Sequence, residues 1–340
     1  MASSYDVAVV GATGLVGEAM VQILEERDFP VRRLYALASE RSAGRSLTFR
    51  DQTIAVERLD GFDFEQVQLA FFSAGASVSA EFAPRAAGQG AIVIDNTSQF
   101  RYEDDVPLVV PEVNPQRIAE HRNRGIIANP NCSTIQLVVA LKPIYDAVGI
   151  ARINIATYQA VSGAGRTALE QLTEHTRQLL SGMDPVVRGA EKWVAFNVVP
   201  HIDTFQDSGY TREEMKMIWE TRKILEDQDI MVNPTAARVP VYFGHSEAVH
   251  IETRTKITVP MAQKLLNSAP GVVVMDGREL GAYPTAATDA ANRDAVYVGR
   301  IREDLSHPKG LDLWVVSDNL RKGAALNSVQ IAEILVNEFV

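Results

Sequence analysis

The 340-residue chain is 46% hydrophobic and 22% charged, an ordinary globular composition with length enough for two well-buried cores. Its net charge of −10 argues against a nucleic-acid partner, and no apolar run nears the roughly 20 residues needed to span a bilayer. The opening "MASSYDVAVV" has neither a basic segment nor an apolar leader, and a single cysteine suits a reducing compartment, so a cytoplasmic location is expected.

The first 130 residues alternate apolar runs with helical stretches. "DVAVVG" (6–11), "RRLYALAS" (32–39), "LAFFSAG" (69–75), "AIVIDN" (91–96), "PLVVPEV" (107–113) and "GIIAN" (125–129) read as strands. Their near-continuous apolar character suits a parallel sheet covered on both faces, and "GEAMVQILEER" (17–27) is an amphipathic helix between the first two. The pattern is doubly wound α/β.

Between the first strand and that helix lies "GATGLVG" (11–17). Its glycines allow a tight turn and leave helix N–H groups open to a pyrophosphate. The plainer alternative is a turn that needs glycine for geometry alone. The second strand ends at Ser39, about where an acidic residue would grip a ribose 2′-OH. Here the chain reads "SERSAGR": Glu40 could take that role, Arg41 and Ser42 suggest a 2′-phosphate, and solvated loop charges are the bland alternative.

"NPNCST" (129–134) holds the one cysteine, Cys132, which excludes an intramolecular disulfide and a cysteine-rich zinc site; no metal is expected. It opens a helical stretch, "STIQLVVALKPIYDAVG", in which Pro143 should kink or restart the helix. A thiol at a helix start feels the dipole and open N–H groups, which favour the thiolate and can bind an oxyanion. From position alone, buried hydrophobe and nucleophile are evenly matched.

Beyond Cys132 the polarity alternates. "RINIATYQAV" (152–161), "RVPVYF" (238–243), "AVHIETRTKI" (248–257), "GVVVMD" (271–276), "AVYVGRI" (295–301) and "LDLWVVSD" (311–318) read as strands of a mostly antiparallel sheet, with a helix at 166–181. Arg238 and His245 are seven apart, so on one unbroken strand they would face opposite sides; Gly244 offers a bend. "TREEMKMIWETRKIL" (211–225) opens with a capping box, Thr211 with Glu214, and Glu213 and Lys216 share a face, ordinarily a surface ion pair. A last amphipathic helix carries Leu326, Val329, Leu335 and Phe339 near one face.

Together "GATGLVG", "SERSAG", "NTSQFR", "NPNCST", "YQAVSGAG", "EEMK", "RVPV" with "GHSEAV", "YVGRIRED" and "DNLRKGAALNSVQIAE" resemble the aspartate-β-semialdehyde dehydrogenase family over essentially the whole chain. The resemblance implies a Rossmann-type NADP-binding domain, 1–130 completed by a helix at 320–340, and an α+β catalytic and dimerisation domain, 131–319. It implies NADPH-dependent reductive dephosphorylation of 4-phospho-L-aspartate to aspartate semialdehyde, in lysine (with diaminopimelate), methionine, threonine and isoleucine biosynthesis. Cys132 would be the nucleophile, His245 the acid/base, and Gln159 the residue orienting substrate. Arg238 and Glu213 would hold the substrate's amino-acid end, and Arg101 and Lys216 its phosphate. Gly11, Thr13, Gly14, Leu15, Val16, Arg41, Ser42, Ser162, Gly163 and Asn319 would contact NADP. A homodimer, or a tetramer of paired dimers, is implied. The rivals are an N-acetyl-glutamyl-phosphate reductase-like enzyme and a non-catalytic dinucleotide-binding protein.

Overall fold

The computed structural model describes residues 4–187, 189 and 191–340, and the chain divides into two compact units, 1–131 with 324–340, and 132–323. In the first, β1 (Tyr5–Val10), α1 (Leu15–Glu26), β2 (Val31–Ala38), β3 (Ser46–Phe49), β4 (Gln52–Arg58), β5 (Leu69–Phe72), α2 (Ala76–Gly88), β6 (Ile92–Asp95) and β7 (Ile126–Ala128) follow one another. Their sheet runs β3-β4-β2-β1-β5-β6-β7, parallel throughout except for β3 at the edge. β1 and β5 are buried along their whole length, which is why they read as unbroken apolar runs. Strand order reverses at β1, so the loop leaving it sits at a switch point, where such sheets open a crevice. The C-terminal helix Leu326–Glu338 packs Val329, Ile331 and Leu335 into the same core as Met20, Ile23 and Leu24 of α1, with Phe339 at its margin.

One sequence reading fails here and one element carried no reading. "PLVVPEV" is buried but not a strand; it makes a single bridge, Leu108 to Ala128, because Pro107 and Pro111 lack the N–H groups a ladder needs. The β3–β4 hairpin went unread: its residues are largely exposed, and its turn sets Arg50 and Asp51, neither a glycine, at positive φ.

The second unit comprises α3 (Cys132–Val148), β8 (Ile150–Gln159), α4 (Arg166–Leu180), α5 (Arg212–Leu225), β9 (Met231–Arg238), β10 (His245–Thr253), α6 (Val259–Asn267), β11 (Val272–Val274), β12 (Val296–Glu303) and β13 (Gly310–Ser317). The sheet order is β11-β12-β13-β10-β8-β9, antiparallel in the middle with parallel pairings at both ends. Helices α3, α5 and α6 pack together, with α3 laid across β8, β10, β12 and β13. Ile153, Ile155, Val249, Ile251, Leu311 and Leu313 fill the covered face, whereas Tyr158, His250, Asp312 and Trp314 on the other face are only half buried. α3 is buried from Ser133 to Leu141 and runs through Pro143 as one helix, so of the expected kink or restart the restart does not occur.

"RVPVYF" is also corrected. β9 ends at Arg238, where that strand was expected to begin, and residues 239–244 leave the sheet. Pro234 hid β9; as an edge strand, β9 tolerates a residue without an N–H. Gly244, at φ +88°, turns the chain into β10, and a Cβ there would lie 3.0 Å from the Ala286 carbonyl oxygen.

Candidate active site

Because β9 ends at Arg238 and β10 begins at His245, the two side chains meet from different strands. A Cβ placed on Gly163 would lie 3.1 Å from Arg238 Nη1 and 3.5 Å from His245 Nε2, which measures how closely both approach that backbone. The Ala160 N–H donates to His245 Nδ1 at 3.0 Å, and the Ala160 carbonyl accepts from Arg238 Nη1 at 2.7 Å. A fixed N–H donor leaves Nδ1 only the acceptor role, so the neutral ring carries its proton on Nε2. That Nε2 is buried with no hydrogen-bond partner among the described residues. Burial, reinforced by the Arg238 charge and opposed by Glu213, lowers His245 from 6.5 to about 3, so the ring is neutral at physiological pH.

Cys132 opens α3 within reach of the Arg238 charge. Burial lowers Arg238 from its usual range, while Glu213 and Cys132 act the other way. Gln159, at the end of β8, donates to Ser133 Oγ at 3.1 Å, Thr157 Oγ1 at 3.3 Å and Glu213 Oε1 at 3.1 Å. Glu213 and Lys216 are a buried pair 2.9 Å apart with side-chain exposures of 7% and 13%, not the surface pair their spacing suggests. Lys216 also bonds Asp203 at 2.8 Å. Burial works against the Lys216 charge, but Glu213 and Asp203 outweigh it and the ammonium is held above its ordinary value. The predicted capping box seats this helix: Thr211 N–H donates to Glu214 Oε2 at 2.7 Å and Glu214 N–H returns to Thr211 Oγ1 at 3.3 Å. A cleft of about 760 Å³ opens beside Arg238 and Asp203, lined also by Trp193 and His201. Asp203 carried no signal in the sequence; its role appears only when Lys216 lands against it.

Asn319 and Ser162 are buried and bond each other, and Asn319 Oδ1 accepts the Gly244 N–H at 2.9 Å, steadying the turn that delivers His245.

In the first unit, Thr13, Gly14, Leu15 and Val16 form the turn into α1, whose N-cap Gly14 contributes no side-chain bond. The first N–H groups of α1 are therefore open to a ligand. Gly17 admits no side chain, since a Cβ would fall 2.2 Å from the Gly11 oxygen. The glycine cradle and uncapped helix start fit the pyrophosphate of NADP. Arg41 is exposed and Ser42 partly so, while Glu40 is paired with Arg58 at 3.0 Å. Arg101 donates to the Asn96 carbonyl at 2.8 Å, in a loop braced by buried Asp95, which bonds Ser79 and Thr97. Burial raises Asp95, against the pull of those bonds and of Arg101. Among the described residues no group of three or more His, Cys, Asp or Glu could hold a metal, and no helix is long and apolar enough to cross a membrane.

Fold and site together define a nicotinamide-dependent oxidoreductase of the semialdehyde dehydrogenase class. Residues 6–121 match the semialdehyde dehydrogenase NAD-binding domain, and 141–322 its dimerisation domain. An aspartate-semialdehyde dehydrogenase of Legionella pneumophila is 59% identical over 340 residues, covering 100% of this chain and 98% of that protein. The crystal structure of aspartate semialdehyde dehydrogenase II complexed with ASA, from Vibrio cholerae, superposes with a TM-score of 0.97 at 54% identity, covering 100% of both chains. The Candida albicans enzyme, solved with NADP, gives 0.76 at 29% identity over 98% of each chain. The chain belongs to the aspartate-semialdehyde dehydrogenase family. It is an NADP-dependent oxidoreductase of amino-acid biosynthesis, and neither rival reading is favoured. The dimerisation domain carries homo-oligomerisation with it.

Proposed function

We propose that the chain converts 4-phospho-L-aspartate to L-aspartate 4-semialdehyde through a thioester on Cys132. The observation that carries this reading is the thiol at the start of α3 beside Arg238, with a neutral imidazole presenting Nε2–H at the same site. Arg238 and the N–H groups of the first turn of α3 favour the thiolate. The thiolate attacks the acyl phosphate carbon and inorganic phosphate leaves. Arg101 and Lys216 bind the phosphate, Lys216 exchanging Asp203 for its oxygens. Arg238 holds the α-carboxylate, Glu213 the α-ammonium, and Gln159 orients the acyl group.

The residues that would hold NADP are Gly11, Thr13 to Val16, Arg41 and Ser42, and the family resemblance adds Ser162, Gly163 and Asn319. NADPH, when bound, supplies the hydride that takes the thioester to the aldehyde level. His245 Nε2–H meets the charge that develops on the thiohemiacetal oxygen of Cys132. Collapse of that adduct returns the thiolate and frees the semialdehyde. Locked with Nδ1 as acceptor, His245 serves as a donor rather than as the base that takes the thiol proton.

The half-buried face of β8, β10 and β13 is the surface through which two copies pair, and pairs can join as tetramers. We place the protein in the cytoplasm, with no nucleic-acid partner. The test is phosphate-dependent reduction of NADP by aspartate semialdehyde. Wild-type protein turns over and is silenced by one equivalent of alkylating agent, Cys132→Ala is inactive, and Cys132→Ser retains very little. Full activity in Cys132→Ala overturns the reading.

A further inference from the structure

Glu247 follows His245 by two residues on β10, so both side chains project from the helix-covered face of the sheet. It is completely buried, and among the described residues neither carboxyl oxygen has a hydrogen-bond partner. An ionised carboxylate in such a place, with no cation acting on it among the described residues, is among the costliest groups a fold can hold. The polar side chain that acts on it is Gln136, on α3 one turn beyond Cys132. Gln136 Nε2 is likewise buried with no geometrically formed hydrogen bond among the described residues.

Two unsatisfied groups that face each other in an apolar interior have one mutual solution. A carboxylic acid that keeps its proton donates O–H to the amide oxygen, and the amide N–H donates to the acid's carbonyl. Burial drives Glu247 the same way, raising its carboxyl well above the ordinary range, with Gln136 opposing.

We propose that Glu247 is a positioning residue for the thiol chemistry: its clasp with Gln136 fixes the strand that bears His245 against the helix that bears Cys132. Cys132 and Gln136 share a face of α3, and His245 and Glu247 share a face of β10, which packs against it. Catalytic pair and clasp are thus two rungs between the same two elements. An apolar pair at these positions would fill the space without fixing the helix in rotation. A charged Glu247 would draw a proton onto His245; as an uncharged acid it leaves the Nε2–H ring neutral. The proposal rests on the Cys132–His245 reading above, but its first readout does not.

That readout is difference infrared spectroscopy of the intact protein against Glu247→Gln at neutral pH. A protonated-acid carbonyl band assigned to Glu247 is expected; a carboxylate band overturns the proposal whatever Cys132 does. The second is a comparison of kcat and KM. Glu247→Gln, which can pair amide to amide, keeps kcat within about threefold, whereas Glu247→Leu and Gln136→Met lose roughly ten- to a hundred-fold in kcat with KM nearly unchanged. Wild-type kcat in Glu247→Leu, or equal losses in Glu247→Gln and Glu247→Leu, sinks it. If Glu247→Leu does not fold, the infrared band and Gln136→Met decide.

Discussion

At the start of α1 the groups open to an anion are backbone N–H bonds, left open by a glycine N-cap on a helix whose first turn includes Gly17, which has no room for a Cβ. In the second unit the corresponding groups are side-chain cations taken out of water, Arg238 against the Ala160 carbonyl and Lys216 between Glu213 and Asp203. The backbone site needs no counter-charge, because partial charges on N–H groups are fixed by the fold. The side-chain site does need one: without its two carboxylates, burial would push Lys216 toward the neutral amine. Selectivity follows from the difference. A helix N-terminus accepts any phosphate, so on the proposed reading discrimination between nucleotides falls to exposed Arg41 and Ser42, whereas the buried cluster would prescribe both charge and shape.

The sharpest way to break this contrast is Arg238→Ala. Removing the buried cation proposed to meet the substrate's carboxylate should lower kcat/KM for the semialdehyde by roughly ten- to a hundred-fold. The loss should change little with added salt, and the KM for NADP should stay near wild type. Equal losses toward both substrates would mean that the two sites are not separate. Arg41→Ala should have a smaller effect, raising the KM for NADP severalfold and leaving that for NAD unchanged. Because Arg41 is exposed, raising the ionic strength should shrink the gap, since screening acts over about 8 Å at physiological salt. Wild-type protein that used NAD as well as NADP would make Glu40, despite its pairing with Arg58, the ribose ligand.

The last effect is on stability, negligible near neutral pH and growing as the medium is acidified. His245 is neutral in the fold down to about pH 3, while the unfolded chain binds a proton below 6.5. The unfolded state therefore holds more protons as pH falls through that window, and stability declines. His245→Asn should flatten the decline between pH 6.5 and 3 by up to one proton, read from denaturant titrations at several pH values; an unchanged slope would show the ring to be charged.

What could be read in advance was what lies close along the chain. The doubly wound pattern, the glycine loop and the capping box at Thr211 are each set within a few residues of themselves. β9 was missed because Pro234 argues against a strand, and whether a strand lies at an edge is fixed by distant pairing. The spacing of Glu213 and Lys216 is that of any surface pair; their burial is decided by where α5 packs. Asp203, the Ala160 backbone and the Gln136–Glu247 clasp acquire meaning only after folding joins segments far apart in sequence, so no local signal could mark them.

The second unit begins at Cys132 and ends at Gly323, and a Cβ on Gly323 would sit 2.8 Å from the Cβ of Cys132. Entry and exit of the chain are thus side by side. In topological terms this unit is an insertion with a closed mouth: whatever length is threaded between 132 and 323 adds no span that the surrounding chain must bridge. Cys132, the proposed nucleophile, stands in that mouth, and the lack of a side chain at position 323 is what lets the mouth shut.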